Sequence, residues 1–473
     1  MEGGQRDNVF LLLLFSLLSS GLSSLYFSVL DQCLKNPPKP QYDGGIVVNP
    51  ELNSGREGWT PFGSTKIETI SKKGNKYIAA FHRQQPFDSF SQQFYLQKEM
   101  LYTFSAWLQV SRGQAEIAAM FKAPPYFISA GSVTAQSGCW SMLKGGLYVN
   151  SSGPAELYFE SHNTTVGILA DSISLQPFTQ EEWKSHQDLS IEKARKSKVK
   201  IQAIDGQGKP LANVTVNITQ KKPDFPFGCA MNERILTNTD FQNWFTPRFK
   251  LTTFENEMKW YFTENSPGRE NYTIPDAMLQ FAKEHNISVR GHTVFWDDPR
   301  YNNDWVKSLP PNELSLVADR RMNSIMNRYS GHVVHWDVVN ENLHFSFLES
   351  KLGENASAVY YLKAQQLDGK ATLFLNEYNT IEEMGDEAST PTKYLEKIRE
   401  IQSKGYQGSL GIGLEGHFRT PNLPYIRAAI DQLAIAGSPI WLTELDVESS
   451  PNQASFLMSN VTRFNLNLSF ILG

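Results

Sequence analysis

The sequence predicts two domains, an antiparallel β-sandwich followed by a (β/α)8 TIM barrel. Between residues 45 and 177, short runs of alternating apolar and polar residues are separated by turn residues, and no long helical period occurs. From Phe225 onward, strand-like runs instead alternate with amphipathic helices. At 473 residues the chain is long enough for both domains, and its hydrophobic content of 40% is normal for a protein with a large core.

The first residues predict a secretory signal peptide over residues 1–23. The apolar run Val9–Leu22 follows Arg6 and leads to the small-x-small triplet Gly21-Leu22-Ser23, a pattern typical of a cleavage site. A membrane anchor that continues to Leu30 is the alternative, which the serines at positions 16, 19, 20, 23 and 24 weaken. We therefore expect a secreted protein. Asn-x-Ser/Thr triplets, which favour a glycoprotein, occur at Asn150, Asn163, Asn213, Asn217, Asn271, Asn286, Asn355, Asn460 and Asn467.

Charge and cysteine content limit the partners and cofactors that the chain requires. The net charge of −5 gives no reason to expect a nucleic-acid partner, and a cleaved signal peptide leaves no stable membrane association. Three cysteines cannot all pair. Cys33 and Cys139 can form one disulfide, which leaves Cys229 in an apolar strand as a buried thiol. No spacing typical of a metal site is present, so no metal or other cofactor is expected.

The predicted sandwich, residues 45–177, follows an extended lead-in over residues 24–44. This lead-in is rich in Pro and Lys from residue 31 onward. Strands are predicted where alternating runs end at turn residues. They are Lys66–Ile70, Tyr77–Phe81, Ser91–Leu96, Leu101–Val110, Glu156–Glu160 and Gly167–Leu175.

Residues 178–222 are predicted to link the two domains. The strongly charged stretch 179–198 favours a helix that acts as a solvated connector. A β-hairpin signature follows, in which Val199–Ile204 and Val214–Ile218 flank the turn Asp205-Gly206-Gln207-Gly208.

The barrel domain is predicted over residues 223–473, with seven recognisable strands rather than eight. Apolar residues at helical spacing separate the strands, as in Ile274–His285, Ala318–Tyr329 and Ile426–Ala434. The strands are predicted at Phe225–Met231, Leu251–Phe254, Ser288–Trp296, Val333–Asn340, Thr372–Asn376, Gly411–Leu414 and Ile440–Thr443.

Polar and aromatic residues follow these predicted strands. Buried runs that finish in Asn340-Glu341 and Thr443-Glu444 put polar groups where burial is costly. Any one such Glu or His is more often a solvated or core residue, but six successive strand ends meet at one rim of a TIM barrel, where catalytic groups lie. Two carboxylates beside amides and aromatic rings favour glycoside hydrolysis. A retaining mechanism needs the carboxyl groups roughly 5–5.5 Å apart, one as acid/base and one as nucleophile.

Several motifs occur in order along the predicted barrel. They are Thr253-Phe254-Glu255-Asn256-Glu257-Met258-Lys259, Gly291-His292-Thr293, Trp336-Asp337-Val338-Val339-Asn340-Glu341, Gly411-Ile412-Gly413-Leu414-Glu415-Gly416-His417 and Leu442-Thr443-Glu444-Leu445-Asp446. Together they resemble glycoside hydrolase family 10, the endo-1,4-β-xylanases, and most of all its plant branch. The resemblance runs from about residue 225 to residue 456.

This resemblance implies a retaining endo-hydrolase that acts on the β-1,4-xylosidic bonds of cell-wall xylan. It implies that Glu341 is the general acid/base and that Glu444 is the nucleophile. Asn340 would bind the 2-hydroxyl of the sugar at the cleavage point, and His417 would orient Glu444. The residues implied to line the glycone subsites are Glu255, Asn256, Lys259, His292 and Trp296, with Tyr378 on the aglycone side.

Residues 45–177 are similar to carbohydrate-binding module family 22. The matching pieces are Asn49-Pro50-Glu51, Gly58-Trp59, Arg83 and Tyr158-Phe159-Glu160. The similarity implies a second xylan-binding site, in which Tyr158 and Glu160 contact the polysaccharide and Phe87 stands in the place of an aromatic platform. The alternative is that Tyr158 and Phe87 are ordinary residues of a sandwich.

The sequence departs from the family pattern near its C-terminal end. Only 29 residues follow Glu444, and the family's eighth strand, Trp-bearing loop and eighth helix are not recognisable among them. We therefore expect a truncated barrel with reduced or no activity, and the alternative function is that of a non-catalytic xylan-binding protein. Asp297 and Glu415 also stand where many bacterial members have His and Gln, but the resemblance to the plant branch implies that both are normal there.

Overall fold

The computed structural model describes residues 10–14, 33–72, 74–195, 200–217, 225–408 and 410–448. The predicted cleavage site and the C-terminal segment 449–473 lie outside these residues. The predicted absence of an eighth strand therefore stays a prediction. Among the described residues, no helix is both long and apolar enough to cross a membrane.

Residues 60–178 form the predicted β-sandwich, which consists of two antiparallel five-stranded sheets. Its strands are β2 (Thr60–Phe62), β3 (Lys66–Lys72), β4 (Asn75–Phe81), β5 (Ser89–Leu96), β6 (Leu101–Val110), β7 (Gln114–Ala123), β8 (Tyr126–Gln136), β9 (Ser141–Tyr148), β10 (Gly153–Glu160) and β11 (Ile168–Phe178). Strand β1 (Phe10–Leu14) lies outside the sandwich. The first sheet has the order β2-β5-β10-β7-β8 and the second the order β3-β4-β11-β6-β9.

All six predicted sandwich strands are confirmed, and four further strands occur that the sequence did not reveal. The unpredicted strands are β2, β7, β8 and β9. On β7 and β8 the residues that face the core include Ala115, Ala119, Ala130 and Ala135, all buried. Alanine is depleted in strands, so a strand that packs through it gives a weak sequence signal.

The cysteine prediction is confirmed in part. Cys33 and Cys139 form a disulfide that ties the lead-in to the sandwich. Cys229 is a free thiol, but it is half-buried rather than buried. It lies on a short strand at the edge of the parallel sheet described below, where one side of the strand has no neighbour among the described residues.

The linker differs from its prediction in two respects. Its helix forms as α1 (Gln180–Arg195), but the helix is not a solvated connector, since Trp183 is buried and packs against Phe178 and His186. The predicted turn over residues 205–208 forms, but residues 210 and 211 pair back across it, through a bridge from Ile204 to Pro210 and a hydrogen bond from the Leu211 amide to the Ala203 carbonyl. Residues 214–217 are outside any strand, and Ile218 lies outside the described residues. Strand β12 (Lys200–Ile204) pairs antiparallel with β1.

The second domain contains a seven-stranded parallel sheet with the order β13-β14-β15-β17-β19-β20-β22. The strands of this domain are β13 (Gly228–Met231), β14 (Leu251–Phe254), β15 (Ser288–Gly291), β16 (Phe295–Trp296), β17 (His335–Asp337), β18 (Val339–Asn340), β19 (Thr372–Glu377), β20 (Leu410–Leu414), β21 (His417–Phe418), β22 (Ile440–Leu442) and β23 (Asp446–Val447). Its helices are α2 (Thr239–Phe245), α3 (Trp260–Thr263), α4 (Thr273–Glu284), α5 (Asp304–Lys307), α6 (Pro311–Tyr329), α7 (Phe347–Leu352), α8 (Ala356–Leu367), α9 (Pro391–Ser403) and α10 (Leu423–Leu433). All seven predicted strands are confirmed in the predicted order.

The side chains at the centre of this sheet are closely packed. The indole of Trp336 is fully buried, and a Cβ added to Gly291 on the neighbouring strand would lie 2.4 Å from it. Arg290 forms an ion pair with Asp337 inside the sheet. Fully buried Arg321 on α6 donates to the main-chain carbonyl of Met258, 2.6 Å away, and so fixes the segment after β14. These contacts hold the strand ends in register for the site above them.

The sandwich and the second domain are in direct contact through β9 and α10. Lys144 on β9 pairs with Asp431 on α10 at 3.2 Å, and Arg427 pairs with the same carboxylate at 2.9 Å. The side-chain amide of Asn422 donates to the carbonyl oxygen of Gly146 at 3.2 Å. A Cβ on Gly146 would lie 2.3 Å from the Cβ of Pro424, so only glycine allows this approach.

Candidate active site

Backbone hydrogen bonds between successive strand ends bring the predicted carboxylates to one rim. The main-chain amide of Glu341 donates to the main-chain carbonyl of Asn376 at 3.0 Å. In the same way, the amide of Glu415 donates to the carbonyl of Glu377 and the amide of Glu444 to the carbonyl of Glu415, each at 3.0 Å. The last residues of β18, β19, β20 and β22 therefore lie side by side. This is the arrangement that the sequence predicted.

The side chain of Asn376 joins the members of the site. Its amide nitrogen lies 3.0 Å from the Asn340 oxygen, 3.1 Å from Glu415 and 3.0 Å from Glu444, while its oxygen accepts from the hydroxyl of Thr443 at 2.6 Å. Sequence reasoning noted this residue only as a strand end. Its position at the end of β19, between the ends of β18 and β20, explains why one amide reaches all these groups.

Glu341 has the surroundings of a proton donor. Its side chain is buried, and the amide of Asn340 donates to its Oε1 at 3.3 Å. Burial, reinforced by the negative charges of Glu377 and Glu444, raises the pKa of Glu341 to about 7. The carboxyl group is therefore protonated over most of the acidic range.

Glu444 has the opposite character. Burial favours its neutral form, but a contact with His417 at 3.7 Å, an electrostatic interaction with His292 and the amide of Asn376 outweigh burial and lower the pKa of Glu444 to about 2. The group is a carboxylate at any ordinary pH. One oxygen accepts from Asn376 and the other faces His417.

His417 holds three carboxyl groups in place. Its Nε2 lies 3.3 Å from Glu415 and 3.7 Å from Glu444, and its Nδ1 lies 2.7 Å from Asp446. The contacts with Glu415, Glu444 and Asp446 outweigh partial burial and raise the pKa of His417 to about 11, so the ring is an imidazolium. Asp446 belongs to the motif Leu442-Thr443-Glu444-Leu445-Asp446, from which no role for it could be predicted. The structure makes it the group that fixes the ring from the far side.

The group implied to line the glycone subsites lies beside Glu341 and Glu444. The ammonium of Lys259 donates to Asn256 at 3.0 Å and lies 4.5 Å from the ring centre of Trp296. Burial lowers the pKa of Lys259, against the negative charges of Glu444 and Glu341. The ammonium is therefore near enough to these acidic groups to interact with their charge.

His292, Glu255 and Trp296, which belong to the same group, have partners that restrict their orientation. His292 is buried and its Nδ1 lies 2.8 Å from Asp337, which leaves Nε2 as its second polar atom. Glu255 accepts from the amide of Asn232 at 2.9 Å and is exposed at the edge of the site. Trp296 stacks on Tyr301 with ring centres 3.9 Å apart.

Tyr378 belongs to a second polar cluster on the other side of Glu341. Its ring stacks on His344 with centres 3.9 Å apart. The imidazole of His344 lies 2.7 Å from Glu377 and 2.9 Å from Asp386. Burial opposes its charged form, but these two carboxylates outweigh burial and raise the pKa of His344 to about 9. Sequence reasoning missed His344 and Asp386, since neither follows a strand directly.

Residues 217–467 match the protein family described as Glycosyl hydrolase family 10. The chain is 41% identical over 463 residues to Endo-1,4-beta-xylanase 5 of Arabidopsis thaliana, which covers 94% of this chain and 77% of that protein. It is 42% identical over 370 residues to Endo-1,4-beta-xylanase 4 of the same plant, with 76% of this chain and 65% of that protein covered.

The chain belongs to glycosyl hydrolase family 10. Native xylanase 10B from Thermotoga maritima is a similar solved structure, with 23% identity, a TM-score of 0.47, and coverage of 52% of this chain and 80% of that one. The family has a (β/α)8 TIM-barrel fold, and the seven parallel strands described above are part of it.

In this family 10 chain, Glu415 is a second carboxyl group beside Glu444. Its side chain is 3% exposed. Burial, and then the charge of Glu444, raise the pKa of Glu415 well above its ordinary value, although His417 acts in the opposite direction. The carboxyl oxygens and the ring nitrogen of Glu415, His417 and Glu444 lie within 4.8 Å of one another. The ring of His417 lies between the two carboxyl groups and pairs with both, at 3.3 Å from Glu415 and 3.7 Å from Glu444.

The residues predicted to bind sugar on the sandwich have mixed environments. Arg83 is buried, and its guanidinium donates to the main-chain carbonyls of Asp88, Asn163, Val166, Pro86 and Ser161. It therefore fixes two loops and has no free donor directed at a ligand.

The predicted aromatic contact on the sandwich is covered. Tyr158 is only 2% exposed because Phe62 stacks on its ring with centres 4.0 Å apart, and its hydroxyl donates to Glu160 at 2.8 Å. The ring of Tyr158 is thus not an open platform in this conformation. Phe87 is 40% exposed and meets Phe62 edge to face.

Proposed function

We propose that this member of glycosyl hydrolase family 10 is a retaining endo-1,4-β-xylanase that cleaves cell-wall xylan. The observation that carries the proposal is the contrast between two carboxyl groups at one rim. The pKa of Glu341 is raised to about 7, and that of Glu444 is lowered to about 2. At a pH between these two pKa values, Glu341 carries a proton and Glu444 carries a negative charge, as an acid and a nucleophile require. The names of the two Arabidopsis relatives support xylan as the substrate.

The reaction takes two displacements. In the first, a carboxylate oxygen of Glu444 attacks the anomeric carbon while Glu341 gives its proton to the glycosidic oxygen. The carbon–oxygen bond of the polysaccharide breaks, and a glycosyl ester of Glu444 forms. In the second, Glu341, now ionised, takes a proton from water. The water oxygen attacks the same carbon and releases Glu444.

The surrounding polar groups keep the nucleophile in position during both steps. Asn376 and His417 bind the two oxygens of Glu444, and Asp446 fixes His417. The amide of Asn340 is held by Asn376 beside Glu341, where it can bind a sugar hydroxyl.

The residues on either side of this pair suit the two ends of a sugar chain. Lys259 and Asn256 offer a donor and an acceptor to hydroxyl groups, and Trp296 offers a ring face. We assign them to the glycone side and Tyr378 to the aglycone side.

We also propose that the sandwich binds xylan. Similarity to carbohydrate-binding module family 22 supports this, as do exposed aromatic residues on its first sheet. The covered ring of Tyr158 and the internal bonds of Arg83 argue that other side chains make the contact. Exposed aromatic residues on or next to this sheet are Phe87, Tyr95, Tyr126 and Phe127.

The test is reducing-sugar release from arabinoxylan by the full chain beside Glu444→Ala and Glu354→Ala. Glu354 is an exposed glutamate outside the site and serves as the matched control. Activity that survives in Glu354→Ala and is lost in Glu444→Ala supports the proposal. Equal activity in all three proteins, or none in the wild type, contradicts it.

Retention of the anomeric configuration is tested separately, by following the anomeric proton of the first product by NMR. The β anomer should appear first and then equilibrate. Glu341→Ala should lose activity on xylan. It should still form the glycosyl–enzyme from an aryl xyloside whose phenol has a low pKa, because the phenolate then leaves without receiving a proton. Initial formation of the α anomer would exclude the two-step route.

We further propose that the protein is secreted. The disulfide between Cys33 and Cys139 supports an oxidising compartment. The asparagines of all seven triplets within the described residues are exposed and accessible to glycosylation. Expression in plant cells, followed by N-terminal sequencing and deglycosylation of the protein in the medium, tests this proposal. Retention inside the cell would contradict it.

Nothing in the described residues favours the alternative function, that of a non-catalytic xylan-binding protein.

A further inference from the structure

We propose that the sandwich and the barrel hold one and the same xylan chain. The polysaccharide leaves the catalytic rim on the Tyr378 side and continues across the outer face of the first sandwich sheet. This inference rests on the proposed function, because it extends the substrate path of the same site.

The outer face of the first sheet is defined by its register. Residues Tyr158, Met120 and Ser129 stand in one row across β10, β7 and β8, and Glu160, Ala118 and Ser132 stand in the next. Their chain neighbours Leu157, Phe159, Phe121 and Ala119 face the core. Alternation along each strand therefore places Lys122, Phe127, Tyr158 and Glu160 on the outer face, together with Phe62, which stacks on Tyr158.

One end of this face lies against the barrel. His162, two residues after Glu160, lies 3.7 Å from Glu387 of the barrel. At the same end of the sheet, Glu116 on β7 is close enough to Lys393 on α9 for the two charges to attract. Two extended residues span roughly 7 Å of backbone, so Glu160 on the outer face is about that far from the residue that contacts the barrel loop.

The barrel loop in contact with His162 is the one that follows the catalytic strand β19. Asp386, the neighbour of Glu387, lies 2.9 Å from His344. His344 stacks on Tyr378, which comes directly after β19. A short series of contacts therefore runs from Tyr378 through His344, Asp386 and Glu387 to the edge of the sandwich face.

The contact between β9 and α10 keeps this face in a fixed position. Asp431 is paired with both Lys144 and Arg427, and the close approach of Gly146 to Pro424 excludes even a methyl group. The sandwich is thus held as a rigid extension of the rim. A module on a flexible connector would sample many orientations and would not prolong a cleft.

The chemistry of the face suits a neutral polysaccharide. Phe127 is 61% exposed and meets Tyr158 edge to face. The ammonium of Lys122 lies 5.9 Å above the ring of Phe62. Aromatic rings beside isolated donors and acceptors match the alternating apolar faces and hydroxyl edges of sugar rings. Because the face continues the rim that cleaves the polymer, the same polymer chain is the occupant that it fits.

The stoichiometry of binding tests this proposal directly. The inactive Glu444→Ala protein is titrated calorimetrically with xylotetraose and with xylodecaose. A shared track predicts two xylotetraose molecules per protein but only one xylodecaose. Two xylodecaose molecules per protein would show two separate sites. One molecule of either sugar would show that the sandwich face binds nothing. Both of these outcomes overturn the proposal.

Kinetics provide an independent test with soluble substrates. Phe127→Ala should lower kcat/KM for xylodecaose roughly threefold to tenfold, the range of one aromatic contact, and leave xylotetraose unchanged. Leu316→Ala, which removes an exposed apolar side chain from α6, is the control and should change neither. Unchanged kcat/KM for xylodecaose in Phe127→Ala overturns the shared track alone. Failure of the wild type to cleave any xylo-oligosaccharide overturns the proposed function as well.

Discussion

The raised pKa of Glu341 links the activity of this protein to its stability. Raising a carboxyl pKa from 4.5 to about 7 corresponds to roughly 3 kcal/mol of preference for the protonated form in the folded state. That contribution is fully present below pH 4.5 and is lost as the pH rises through 7. Glu341→Gln removes it, because the amide does not ionise.

Two measurements follow from this value. The kcat/KM for soluble xylan should fall above pH 7, and at pH 8 only about a tenth of Glu341 is protonated, which corresponds to roughly a tenfold loss relative to pH 6. The free energy of unfolding, from urea titrations followed by tryptophan fluorescence, should also change. Relative to Glu341→Gln, the wild type should lose roughly 3 kcal/mol between pH 4 and pH 8.

The comparison of two proteins at each pH cancels the titration of other groups. Glu354→Gln is the matched control, because its exposed carboxyl group should give the same pH dependence as the wild type. If kcat/KM instead began to fall on the alkaline side below pH 5.5, the prediction that Glu341 is the protonated acid would be wrong. A stability difference between wild type and Glu341→Gln that is the same at pH 4 and pH 8 would also contradict it.

Three other predictions test the surroundings of the site and the contact between the domains. Glu415→Gln should keep kcat/KM within about twofold in acidic buffer, since burial and the charge of Glu444 favour the protonated acid, which an amide resembles. A tenfold loss of kcat/KM there would contradict this prediction. Arg321→Met should lower the free energy of unfolding in urea titrations by about 3–5 kcal/mol because main-chain carbonyls lose a buried donor, whereas Arg399→Met, at an exposed arginine on α9, should cost less than about 1 kcal/mol. Gly146→Val should separate the melting of sandwich and barrel into two calorimetric transitions. Gly153→Val, which adds a side chain in open space, should leave the melting curve unchanged. One shared transition in Gly146→Val would show that the contact between Gly146 and Pro424 does not couple the two domains.

The barrel strands were predictable because their apolar runs are continuous and bounded by polar residues. The run Val333–Asn340 shows the limit of this signal. In the structure it is divided into β17 and β18, with Val338 between them, and the two pieces pair with different strands. An apolar run indicates that a strand is buried on both sides. The change of pairing partner, from β15 to β16, depends on where β16 lies in the fold, and the sequence of this run carries no information about that.

The candidate site was predicted through its motifs and missed where side chains meet only in three dimensions. Glu341 and Glu444 stand at strand ends and were identifiable. The function of Asn376 depends on its distance from three other strand ends, and His344 acts through a loop residue, Asp386, that lies 42 positions away in the chain. Tyr158 was predicted as a sugar contact, but it is covered by Phe62, whose position on an unpredicted strand could not be inferred.

The contact between sandwich and barrel was the least predictable feature, and it changes how the linker is interpreted. A charged helix next to Pro and Gly signals a solvated connector, and Trp183 alone does not contradict that pattern. The decisive residues are Gly146 and Asp431, which have no distinctive sequence context. A glycine in a strand usually weakens it, and here the missing side chain is what lets α10 approach. The pairing of Asp431 with Lys144 then fixes the orientation of the two domains. Two domains that share a largely buried ion pair across such a contact should behave as one body toward a polymer that touches both.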